Sequence, residues 1–292
     1  MSRLKGVLVL ALLARPATAA ERDERVTASL ETRAGLVEAP FVTPPFPSVS
    51  GFATVLTGAA ELRLEQAGWL GLRLPISFVR LDFPARAQVS ETAFGNVELS
   101  WRRPLELDRS RRLALRAGLL LPSAEHGPET ALMKNRALAL ASALNGGQQS
   151  WLLTPGVTGL LLETGLEQTR GSFDLHARLA LPVLVRVSEA SLPPETETHA
   201  WGLLPALELG ATWWAKPWLG PSLRVGLVSE PFRVQEPMRE SARQRRLQLA
   251  IDPAVQARFG ERVTLGLEAS IPVAGNLGGN AWSIALSGQV GF

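Results

Sequence analysis

Three histidines, His126, His176 and His199, are the side chains of this sequence best suited to proton transfer near neutral pH, and one has a carboxylate close by. In the stretch SFDLHAR the spacing Asp174-x-His176 puts both groups on one face of an extended strand, where an Asp–His base pair could form. No serine stands beside it: His176 is followed by Ala177 and Arg178. The other reading of the pair is a pair of charged groups lining an interior. The chain has no cysteine, so thiol nucleophiles, thiolate metal sites and disulfides are excluded. No phosphate-binding loop, dinucleotide fingerprint or metal-ligand spacing is present. The expectation is no catalytic residue, no metal and no cofactor.

Charged residues instead recur at every second position, opposite apolar ones. In GWLGLRLPISFVRL, Leu70, Leu72, Leu74, Ile76 and Phe78 share one face and Gly71, Arg73, Pro75 and Ser77 the other. In SFDLHARLALPVLVRV the apolar face is Phe173, Leu175, Ala177, Leu179, Leu181, Val183 and Val185, against Asp174, His176, Arg178, Ala180, Pro182, Leu184 and Arg186. In RVTLGLEASIPV, Val263, Leu265, Leu267, Ala269 and Ile271 oppose Thr264, Gly266, Glu268 and Ser270. Period-two alternation is the mark of strands with two unlike faces.

Twelve such runs can be counted, near 25–38, 53–66, 69–81, 93–106, 112–122, 149–164, 172–187, 201–214, 219–231, 245–259, 263–274 and 281–292. Many are longer than the roughly 5–6 residues usual in soluble proteins, and match the roughly 9–11 needed to cross a bilayer at a tilt. The connections alternate: long between runs one and two, then only Ala67-Gly68, then long at 82–92, short at 108–111, very long at 123–148, and so on to the end. A meander that crosses a membrane twelve times with both termini on the short-turn side has this pattern. The fold expected is all-β, a transmembrane antiparallel up-and-down β-barrel of about 12 strands occupying residues 21–292. A water-soluble barrel or sandwich shares the alternation and differs in which face is inside.

Aromatic positions separate the two. Trp151, Trp201 and Trp282 fall near the long-loop ends of the runs, and Trp69, Trp213 and the terminal Phe292 near the short-turn ends, with Trp101 between. Two aromatic rings flanking an apolar band form the girdle of a lipid-facing barrel. The last run, AWSIALSGQVGF, alternates to its final residue, which suits a strand that must pair with the first so that no edge is left in lipid. Ending on an aromatic residue also resembles outer-membrane barrels, and implies recognition of the C-terminal strand by the barrel-assembly machinery.

The first twenty residues have the three parts of a secretory leader: MSRLKG is cationic, Val7–Ala14 apolar, and Ala17 and Ala19 precede a cleavage site. A signal peptide over 1–20 implies export in a double-membraned, Gram-negative cell. The leader carries Arg3, Lys5 and Arg15 and no acid, so the remaining 27 basic and 27 acidic residues cancel. The net charge of +3 therefore gives no support to a nucleic-acid partner.

With apolar faces toward outer-membrane lipid, the interior receives Arg73, Glu98, Arg102, Arg116, Asp174, His176, Arg178, Glu208, Arg224, Asp252 and Glu268. Arg33, Arg63, Arg186, Arg258, Glu31, Glu61 and Glu65 share that face. Near-balance of sign suits cross-strand ion pairs and a constricted passage rather than a one-signed selectivity ring. Within 123–150, ALMKNRALALASALNGG can form a helix from Ala131 to Leu144, either in an external loop or folded over or into the lumen as a constriction.

The stretch AFGNVELSWRRPLEL, followed by RRLALRAGLLLPSAEHG, resembles outer-membrane transporters linked to the meta-pathway of phenol degradation. In that family a glycine turn precedes a V-E-L-S-x-K-Y strand and a hairpin ending in L-P-x-x. Gly95-Asn96-Val97-Glu98-Leu99-Ser100 follows the pattern in part; Asn96 stands where Asp is usual, and Trp101-Arg102-Arg103 departs from it. The resemblance implies uptake of small solutes, hydrophobic or aromatic ones included. Outer-membrane phospholipases carry a His-x-Ser dyad that His176 lacks. The expected function is passive passage of small solutes through a constricted polar lumen. The alternative is a non-conducting barrel that binds ligands or partners through its long loops.

Overall fold

The computed structural model describes residues 25–39, 49–64, 67–82, 88–124, 130–144, 148–188, 196–237, 246–260, 262–275, 277 and 280–292. The leader expected at 1–20, Glu65 and His126 lie outside the described residues. The chain is a closed antiparallel barrel of 12 staves. Ten staves are single strands: β1 (Val26–Ala39), β2 (Val49–Arg63), β3 (Trp69–Asp82), β6 (Arg111–Leu121), β7 (Val157–Arg170), β8 (Phe173–Arg186), β12 (Leu219–Ser229), β14 (Leu247–Phe259), β15 (Val263–Ala274) and β16 (Ala281–Gly291). Two are interrupted: β4 (Gln88–Phe94) with β5 (Val97–Glu106), and β10 (Trp201–Leu203) with β11 (Ala206–Trp213). Outside the staves, β9 (Thr196–Thr198) and β13 (Gln235–Pro237) pair as a small ribbon.

Closure follows from the last strand. β16 pairs with β1 from Thr27↔Gly291 to Val37↔Ala281, and the Phe292 carbonyl accepts from the Arg25 and Val26 N–H groups. No edge is left there for lipid to meet unsatisfied. Alternation then sets the faces. Leu72, Leu179 and Leu267 are exposed, while Arg33, Glu98 and Glu268 are buried. Leucines look outward and charges inward.

The break between β4 and β5 has a cause in sequence. β3 pairs with β4 down to Ile76↔Phe94 and with β5 from Arg73↔Glu98, so Leu74 and Pro75 face Gly95, Asn96 and Val97. Pro75 has no N–H to give, and the extra residue is accommodated as a bulge. A Cβ on Gly95 would run into Pro75 and the Leu152 carbonyl.

Two sequence expectations are corrected. The run expected at 149–164 is a 3-10 turn, Ser150–Leu153, followed by β7, and the hairpin expected at 165–171 closes at Gly171, in the left-handed region. Gly165 reads as a turn but lies within the ladder opposite Arg178 and Ala114. Trp151 and Trp69 are not in the aromatic girdle: they are 2% and 3% exposed, facing the interior. Trp201, Trp213, Trp282 and Phe292 are exposed on the outside, as are Phe52, Phe78, Phe94, Phe173 and Phe259. Trp101 joins the short-turn ring, where its Nε1 donates to the Ala67 carbonyl at 2.7 Å.

Candidate functional site

The loop between β6 and β7 does not stand outside the barrel. Helix α1 (Thr130–Ala143) packs against the inner faces of β1 to β4, and the 3-10 turn after it seats Trp151, Leu152 and Leu153 in the interior. Apolar residues are spread around α1, which suits a helix buried on most sides. Ala137, Leu138, Leu140, Ala141 and Leu144 meet Val37, Ala53, Val55, Val79 and Ala93 from the strands in one dry cluster. Gly51 leaves room for Leu140. The half of the interior nearer the long loops is therefore an apolar core, and the polar interior expected along the whole barrel is confined to the rest.

Polar bonds fix this plug. At the β4–β5 bulge, Asn96 Nδ2 donates to the Trp151 carbonyl at 2.9 Å and the Thr154 carbonyl at 2.6 Å. The Asn96 N–H donates to the Leu152 carbonyl at 2.6 Å, and Asn96 Oδ1 accepts from the Ala124 N–H at 3.0 Å. Ser283 Oγ donates to the Leu144 carbonyl at 2.6 Å, and Arg73 Nη1 donates to Gln149 Oε1 at 3.1 Å.

Beneath the plug the inward charges form networks. Glu98, 1% exposed, receives Arg116, Arg73 at 3.9 Å and the Trp151 indole at 3.4 Å. Glu163 joins Arg116 at 3.5 Å to Arg178 at 2.7 Å, and Glu208 takes His176 Nε2 at 3.2 Å. On the facing wall, Arg33 reaches across β16 to Ser283 at 3.1 Å and to Glu268 at 2.6 Å, and Arg224 reaches Glu268 from β12. Asp252 is buried opposite Arg224. At the short-turn mouth Arg102 pairs with Glu61 at 2.9 Å over the Trp69 ring, and Arg258 stacks on Trp214 while reaching Asp174 at 3.3 Å.

All eleven residues expected inside lie on the inward face, and the Asp174–His176 pair does not form. Asp174 accepts from the Trp214 indole at 2.6 Å, two rungs from where His176 meets Glu208. Among the described residues no cluster of ligating side chains could hold a metal ion. Sequence reasoning missed Glu163, Trp151, Gln149, Trp214 and the role of Asn96. Glu163 had a signal: Leu160 and Leu162 face out, so Gly159, Leu161 and Glu163 share the inner parity. Trp151 had none, because its position depends on where the loop folds.

No family model matches the sequence, and no curated protein matches it. Among solved structures, an outer-membrane channel from Pseudomonas putida F1 superposes with a TM-score of 0.62 at 10% identity, covering 92% of this chain and 96% of that one. The transport unit of the autotransporter AIDA-I from Escherichia coli superposes with a TM-score of 0.52 at 12% identity, covering 95% and 93%. At such identities the common property is the fold. Girdles, lipid-facing leucines, closure and these likenesses agree that the chain is a β-barrel of the outer membrane.

Proposed function

We propose that this barrel is a channel for passive passage of small solutes, held closed at rest by α1 and the 3-10 turn. The observation that carries the reading is the placement of a helical segment inside the lumen instead of in the wall. The barrel wall is complete without it, so a purely structural barrel has no need of it. The apolar half of the interior suits solutes with hydrophobic or aromatic parts. The resemblance to transporters linked to the meta-pathway of phenol degradation points the same way, and its residues Gly95–Glu98 are the ones that seat the plug. The C-terminal strand, ending at Phe292, is the segment we expect the assembly machinery to read.

Replacing residues 128–147 by a short flexible linker should raise single-channel conductance in planar bilayers several-fold. Unchanged conductance removes the gate. A second reading, a non-conducting barrel that binds partners through its long loops, is favoured by the filled interior and by the β9–β13 ribbon. Silence of both the full chain and the deletion at all voltages selects it.

A further inference from the structure

On β5, β6 and β7 the pleat sorts charge by sign. Leu99 and Trp101 of β5, Leu115 and Leu119 of β6, and Leu160, Leu162 and Leu166 of β7 are exposed on the lipid side. Carried along each strand to the short turns, the same parity puts Arg103, Arg111 and Arg170 on the outer face, all three exposed. The acids of these strands, Glu98, Glu106, Glu163 and Glu167, take the inner parity. Arg111 is paired with Gln168, so Arg170 is its diagonal neighbour, about 7–8 Å away. Arg109, exposed in the β5–β6 turn, stands beside them, and Arg103 flanks the group one pleat beyond Trp101. Arg170 is opposite Phe173, so the cluster lies at the level of the aromatic ring. One carboxylate shares this surface: Asp108 accepts from the Ser110 and Arg111 N–H groups, and Arg111 Nε lies 3.5 Å from it. Arg103, Arg109 and Arg170 form no ion pair among the described residues. At the long-loop rim the outward charges described, Arg80 and Asp82, lie 3.7 Å apart and offset each other.

We infer that the outer face of β6 and β7 at the short-turn rim binds an anionic glycerophospholipid of the phosphatidylglycerol type. Arg109, Arg111 and Arg170 meet its phosphodiester, and its chains lie against the exposed Leu166 and Leu175. Guanidinium groups match phosphate oxygens in pairs, which an ammonium does not. The occupant is a lipid because the cluster stands on the hydrocarbon-facing side of the wall, with leucines on one side of it and the short turns on the other. Short turns mark the periplasmic side of such barrels, where the leaflet is glycerophospholipid. A zwitterionic lipid carries its own ammonium beside the phosphate and gains less from the excess of cation. The inference rests on the barrel's place in the outer membrane and not on conduction.

The test is native mass spectrometry of the full-length barrel released from phosphatidylcholine vesicles that carry equal small shares of phosphatidylglycerol and phosphatidylethanolamine. Each basic side chain near an anionic lipid surface strengthens binding roughly fivefold. The native barrel should therefore retain phosphatidylglycerol over phosphatidylethanolamine by about tenfold or more. The ratio should fall close to one in the double variant Arg109→Gln, Arg170→Gln, which spares Arg111 and its hairpin bonds to Asp108. It should hold in Arg80→Gln at the other rim. Folding of each variant is read from its heat-modifiable gel mobility, and the contrast between the two lipids needs no variant. Inorganic phosphate at matched ionic strength should leave the lipid in place. Equal retention of the two lipids by the native barrel, or an undiminished ratio in the folded double variant, overturns the site. Loss of the ratio in Arg80→Gln, or displacement of the lipid by inorganic phosphate, overturns it too. Bilayer recordings bear on the channel alone: a silent barrel that selects phosphatidylglycerol keeps this site and removes the channel.

Discussion

Asn96 is the side chain through which wall and plug hold each other. Its amide gives two hydrogen bonds to plug carbonyls and accepts one from Ala124; those to Trp151 and Ala124 are buried and that to Thr154 is half-buried. Asn96→Ala leaves those groups unsatisfied, at a cost of about 1–3 kcal/mol for each one left buried. The expected result is a higher open probability in single-channel records with unchanged barrel folding. An open probability equal to that of the native protein would show that the plug is held by its apolar core alone. A second prediction separates the tryptophans. In single-tryptophan variants, brominated lipid should quench Trp201, Trp213 and Trp282 and leave Trp69 and Trp151 bright. Quenching of Trp151 as strong as that of Trp282 would contradict its inward seat. The inward charges were legible in sequence because alternation alone assigns them a face. Their partners were not: Arg33 meets Glu268 two strands away, and Asp174 leaves His176 for Trp214, choices set by how far each side chain reaches across the barrel. Trp69 misled because a strand end near a short turn offers both an inner and an outer rim.

Among the strands, the seam between β1 and β16 carries a further restraint from inside. Arg33, on β1, passes over Ser283 of β16 to Glu268 of β15, and Arg224 comes to the same carboxylate from β12. Breaking a buried, hydrogen-bonded pair costs about 3–5 kcal/mol, whereas an exposed pair contributes about 1 kcal/mol or less. Glu268→Gln should therefore lower the temperature of the heat-modifiable transition measurably, while Arg80→Ala, which removes the exposed Arg80–Asp82 pair, should not. Equal shifts would remove the strap. The short turns are held locally: in the β5–β6 hairpin the Ser110 N–H and hydroxyl and the Arg111 N–H all donate to Asp108, holding its carboxyl below the usual range. Strand number and direction were readable because long loops and tight turns alternate. Two boundaries were not. Gly165 looked like a turn yet lies within β7, and the bulge at Gly95–Asn96 became visible only once Pro75 was seen opposite it.

At the scale of the molecule, two solvents are served by one wall. Its outer face is leucine and aromatic, matched to hydrocarbon, and its inner face changes character along the axis, from a dry core near the long loops to paired charges toward the short turns. That change was the least legible property, since an apolar inner residue such as Val55 or Val79 has the same spelling as a lipid-facing one, and only the buried helix tells them apart. Trp151 and the leucines of α1 fill that apolar core among the described residues. In the channel proposed here, a barrel stoppered in this way adds no leak to the cell envelope, however many copies are inserted. Permeability is then governed by whatever displaces α1, and abundance sets only how much flow becomes available when it does.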